Sequence, residues 1–179
     1  MAVKKFIDYL LFEKKYSNHT AVAYKKDIEM FESFLSKKFP QSNSLNVNYS
    51  LIRSWIVKLV SDKISNRTIN RKISSLNSYY KFLVKINAIK LNPLTNHKAL
   101  KMSKKLQVPF LEPEIMRVLG LIVPDSFEGL RNKLIVELFY STGMRRTELV
   151  NLQLNDVDIS KSQLKVLGKR NKERFIPLL

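Results

Sequence analysis

The chain has 179 residues, 45% of them apolar, and a formal net charge of +17. That length holds one medium domain or two small ones, and that apolar share excludes a disordered tail. There is no cysteine, and His19 and His97 lie far apart in sequence, so a disulfide, a Cys-based zinc site and any His-based metal spacing are all excluded.

The first ninety residues read as four helices. Residues 2–14 place Phe6, Tyr9, Leu10 and Glu13 at helical spacing. Lys4, Lys5, Asp8 and Glu13 interrupt this stretch, which argues against a signal peptide. Ser17 is a candidate N-cap for a second helix, whose stripe runs Ala21, Tyr24, Ile28, Phe31, Phe34 and Leu35 and ends near Phe39-Pro40. A polar loop leads to a third helix with Leu51, Ile52, Trp55, Ile56 and Leu59. Ser65 caps a fourth, with Ile69, Ile73, Leu76, Tyr80, Leu83 and Val84 on one face. Asn92-Pro93 closes the helical part, because a residue before proline leaves the helical region.

Residues 92–109 form a basic, glycine-free stretch that reads as an interdomain linker. Two further helices follow, over about 112–120 and 128–141. The turn Ser141-Thr142-Gly143 leads into a short helix over about 145–152. The period then changes from helical to alternating. Residues 163–167 and 174–177 form two strands around the polar turn GKRNKE, a β-hairpin. A hairpin at the very end of a chain has open edges and little to pack against, so the second domain reads as incomplete.

The charge is unevenly divided. Residues 1–107 hold 21 Lys/Arg against 6 Asp/Glu, a net of +15, whereas residues 108–179 hold 11 against 9, a net of +2. The positive field belongs to the helical part and its exit, which points to a nucleic acid or another polyanion as partner. Arg67, Asn70, Arg71 and Lys72 crowd the first two turns of the fourth helix. Arg and Asn can make paired contacts to guanine and adenine edges, and a helix start suits phosphate. Thr20, Lys25 and Lys26 of the second helix join this DNA-facing set, as do Lys104 and Lys105.

The segments FIDYLLFEKKYSNHTAVAYKKDIEMF and INRKISSLNSYYKFL, with the following Asn-Pro, resemble the core-binding domain of Xer-like tyrosine recombinases of the phage integrase family. RNKLIVELFYSTGMRRTELVNLQLNDVD and VLGKRNKERFIPL resemble the start of that family's catalytic domain. The resemblance runs from about residue 3 to residue 179. It implies a mainly α chain: a four-helix SAM-like core-binding domain over 1–91, a linker over 92–109, and an incomplete α+β catalytic domain over 110–179 with a β-hairpin.

It further implies site-specific DNA recombination through a 3′-phosphotyrosine, with no metal or nucleotide cofactor. The implied partners are a double-stranded DNA recombination site and a second recombinase protomer; the sequence itself, with no signal-peptide pattern and no apolar run of about 20 residues, reads as a cytoplasmic protein away from any membrane. Arg145 falls on the family's first catalytic arginine and Lys169 on its hairpin lysine. A guanidinium fork suits the charge that builds on non-bridging phosphate oxygens, and a lysine can hand a proton to the departing oxygen. Arg146 and Arg170 depart from the usual pattern, and their roles stay open. The family's remaining catalytic groups lie past the hairpin, so these 179 residues are expected to bind DNA without cleaving it.

Two other readings stay open. One is a non-catalytic DNA-binding regulator, and the other is a nonfunctional fragment of an interrupted recombinase gene. For Arg145 the plain alternative is a helix-start arginine paired with Glu148 three residues on.

Overall fold

The computed structural model describes residues 2–103, 106–168 and 172–178. The chain divides into two compact units, Met1–Lys105 and Leu106–Leu179. No described helix is long and apolar enough to cross a membrane.

The first unit is helical. Helix α1 (Ala2–Asp8) runs into a π turn over Tyr9–Glu13, so the single helix expected over 2–14 is present but widened at its end. The Lys14 amide accordingly reaches the Tyr9 carbonyl, five residues back. Helices α2 (Asn18–Lys38), α3 (Tyr49–Ser61) and α4 (Asn66–Lys85) follow. Each begins on an extended residue whose side chain accepts a free first-turn amide: Ser17 from Thr20, Asn48 from Leu51, Ser65 from Thr68. Their apolar stripes meet in one core, centred on Phe6, Ile28, Phe31, Trp55, Leu76 and Tyr80.

Tyr80 is fully buried and its hydroxyl has no hydrogen-bond partner among the described residues; burial holds the phenol well above its ordinary pKa. An unpaired buried hydroxyl costs about 1–3 kcal/mol, so Tyr80→Phe should hold or raise stability by up to about 1 kcal/mol. Urea midpoints would check this. A loss above about 1 kcal/mol would mean that the hydroxyl is bonded after all.

Residues 92–101, expected as linker, pack on the helical unit. Leu94 is buried, and Asn92 donates to Asn77 Oδ1 at 2.7 Å. The Asn70 side chain clamps Leu100 in both directions, giving to its carbonyl and taking from its amide, each at 2.9 Å. Asn66 holds the Lys101 carbonyl at 2.8 Å. The boundary between the units lies after Lys105, inside the basic stretch.

The second unit holds helices α5 (Glu112–Leu121), α6 (Phe127–Thr142) and α7 (Arg146–Val150). Gly143 stops α6 in the left-handed region, at φ 59°, with its amide on the Phe139 carbonyl. A side chain there would meet the steric penalty that glycine escapes. Strands β1 (Val157–Asp158), β2 (Gln163–Leu167) and β3 (Glu173–Pro177) form an antiparallel sheet in that order. Leu164 faces Ile176 and Val166 faces Arg174. The expected hairpin is therefore present, with an added strand: Val157 pairs with Leu164 along one edge. Met144, Leu164, Val166 and Ile176 form the buried centre of this unit.

Candidate phosphate and nucleic-acid site

Arg145 is extended and caps α7, and the left-handed Gly143 turns the chain toward it. Its amide donates to Glu148 Oε2 at 2.7 Å and its Nη1 donates to Glu148 Oε1 at 2.8 Å. The plain i,i+3 pairing is therefore made. It does not consume the residue, because the Arg145 side chain stays 62% exposed while the Glu148 side chain is 1% exposed. A buried carboxylate thus anchors an outward-facing guanidinium, an arrangement able to present a fixed fork to an anion.

Glu148 takes a second arginine that sequence reasoning missed. Arg174 of β3 donates Nη1 to Oε1 and Nη2 to Oε2, both at 2.8 Å. Burial alone would raise the Glu148 carboxyl, but the Arg145 amide, the Arg145 guanidinium and Arg174 together hold it below its ordinary value. The only sequence signal was an arginine on a short alternating strand, beside the candidate hairpin.

Lys169 lies outside the described residues, as do Arg170, Lys104 and Lys105. The residue before Lys169 is described: the Gly168 amide donates to the Lys172 carbonyl at 2.7 Å and closes the base of the hairpin. Arg146 is exposed, beside the site.

The helical unit revises part of the DNA-facing set. Lys72 is 8% exposed, and its ammonium sits 3.0 Å from Asp27 Oδ1, so it serves the fold and is withdrawn from phosphate. Arg71 spends both terminal nitrogens on the same carboxylate, at 2.6 and 2.9 Å, although its side chain stays half-exposed. Ser75 gives Asp27 a further bond at 2.8 Å. Burial alone would raise the Asp27 carboxyl; the bonds from Arg71, Ser75 and Lys72 outweigh it and hold it below its ordinary value. Asn70 is held on Leu100 as described above.

The physical reason for these corrections is one of facing. Asp27 and Lys72 lie on the buried sides of α2 and α4, where each charge needs the other. Thr20 shares its hydroxyl with Ser17 at the start of α2, at 3.0 Å. Lys25, Lys26 and Arg67 are exposed; Lys25 lies 3.7 Å from Glu29. Lys26 also edges a groove of about 590 Å³ floored by Met30, Phe34 and Trp55.

Solved integrases share this fold. A lambda integrase tetramer bound to a Holliday junction matches with a TM-score of 0.74 at 15% identity, over 98% of this chain and 49% of that one. The Tn1549 transposon integrase, in complex with circular intermediate DNA, matches with a TM-score of 0.68 at 16% identity, over 100% of this chain and 61% of that one.

Family profiles cover both units: "Phage integrase, N-terminal SAM-like domain" matches residues 3–87 and "Phage integrase family" matches residues 109–179. The chain belongs to the phage integrase family of tyrosine recombinases. Tyrosine recombinase XerC of Staphylococcus haemolyticus (strain JCSC1435) is 36% identical over 172 residues, 96% of this chain and 57% of that protein. Tyrosine recombinase XerD of Rickettsia bellii (strain RML369-C) is 36% identical over 181 residues, 97% of this chain and 59% of that protein. The chain thus spans less than two thirds of the length of these relatives.

Proposed function

We propose that the chain grips a double-stranded DNA recombination site with its helical unit and holds a phosphodiester on Arg145. The observation that carries this reading is the Arg145 guanidinium, 62% exposed and anchored on a buried carboxylate. A fork so fixed can take two non-bridging oxygens and stabilise the charge that develops during strand exchange. Lys169, matched by the family pattern, would deliver the proton to the departing 5′-oxygen. The attacking group in this reading is a tyrosine, which forms a 3′-phosphotyrosine and divides one exchange into two reversible steps. It calls for no metal or nucleotide cofactor.

On this reading the half-buried Thr20 and the exposed Lys25, Lys26 and Arg67, with Lys104 and Lys105, touch the DNA backbone. A second protomer completes the assembly. The lambda integrase tetramer bound to a Holliday junction and the lambda integrase dimer bound to a core site support both partners. On this reading the chain works in the cytoplasm, where its substrate would lie.

Gel-shift titration tests the DNA reading. The charge of +15 over residues 1–107 should give binding to duplex that falls about a thousandfold between about 50 and 200 mM salt, as counterions return to the phosphates. Binding that ignores salt, or none at low salt, would end the proposal.

A further inference from the structure

We propose that Arg174 is a positioning residue for Arg145, acting through Glu148: one buried carboxylate joins the start of α7 to strand β3 and so aims the exposed guanidinium. The inference rests on the reading that Arg145 takes a phosphodiester, and it names what fixes that side chain in place.

Each Glu148 oxygen accepts two donors. Oε1 receives Nη1 of Arg145 and Nη1 of Arg174, both at 2.8 Å. Oε2 receives the Arg145 amide at 2.7 Å and Nη2 of Arg174 at 2.8 Å. A carboxylate offers about four acceptor positions, so these donors leave it one orientation. Arg174 supplies half of them, from 26 residues away along the chain. Without it, two positions on a buried charge lose their donors, and the carboxylate gains freedom to turn away from Arg145.

The same clasp reaches the hairpin base. A Cβ built on Gly168 would stand 3.5 Å from Glu148 Oε1 and 3.8 Å from Arg174 Nη1, so the backbone leading into Lys169 runs against the ion pair. Only an arginine provides the two parallel N–H bonds that lock both oxygens; a lysine would keep the charge and lose the fork.

The test uses the 179-residue chain, dimethyl phosphate as the phosphodiester probe, and ¹⁵N spectra of arginine side chains. The Arg145 Nε–H signal is identified by its loss in Arg145→Lys. In the native chain this signal should move with added dimethyl phosphate, and the Arg145 guanidinium should rotate slowly. Arg174→Lys should weaken the response about tenfold and speed the rotation, while the amide spectrum of α7 and the sheet stays native. If Arg174→Lys loses that spectrum, Arg174→Gln is read in its place.

An unchanged Arg145 response in a folded variant overturns the inference, since a merely structural ion pair would leave it unmoved. A native Arg145 that ignores dimethyl phosphate overturns the phosphate reading instead. The positioning role is then decided by rotation alone: unchanged in the variant, it fails; faster, it stands.

Discussion

Asp27→Ala should cost the helical unit about 3–5 kcal/mol, seen as a lower urea midpoint with little change in slope. The carboxylate is 2% exposed and receives Arg71 twice, Lys72 once and Ser75 once. Removing it leaves the Lys72 ammonium buried without its partner, and that uncompensated charge supplies most of the loss. The paired change Asp27→Leu with Lys72→Met removes both charges together, and should recover most of the stability.

The acid limb carries the same signature. The folded Asp27 carboxyl is held below its ordinary value, so its contribution is fully present above the unfolded pKa of about 3.9. That contribution falls away as the pH drops through the folded value, and Asp27→Ala should flatten this part of the stability profile. A loss below about 1 kcal/mol for Asp27→Ala would show that the network contributes little.

Incubated with a nicked, labelled duplex carrying its recombination site, the 179-residue chain should form no covalent adduct. On the proposed reading a nucleophile would have to reach a phosphate on Arg145, and Tyr79 and Tyr80 are withheld from it, fully buried in the helical core. Denaturing gels of the labelled DNA would check this. A shifted, protease-sensitive band would overturn the expectation. Tyr140 would then be the first residue to change, because it is 47% exposed and precedes Arg145 on the C-terminal turn of α6.

Local signals in the sequence determined most of the architecture. Ser17 and Ser65 are caps because a hydroxyl beside a free first-turn amide needs nothing distant. The stripes of α2, α3 and α4 follow from a 3.6-residue period, and the hairpin from alternation on both sides of a polar turn. The family and the position of Arg145 were legible for the same reason, since both rest on contiguous strings. Strand β1 escaped because two residues hold no period; only pairing with β2 makes them a strand.

Tertiary structure decided which charges face inward. Arg71 and Lys72 stand beside Arg67 in a basic run, and composition counts all three alike. Asp27 lies 44 and 45 residues away and claims two of them. A trace of this was present, because Asp27 and Lys72 each lie three residues after a member of an apolar stripe, Tyr24 and Ile69. Arg174 left no such trace. Its role exists only because the sheet returns β3 to a carboxylate on α7, and a contact across 26 residues depends on chain closure that no local pattern encodes.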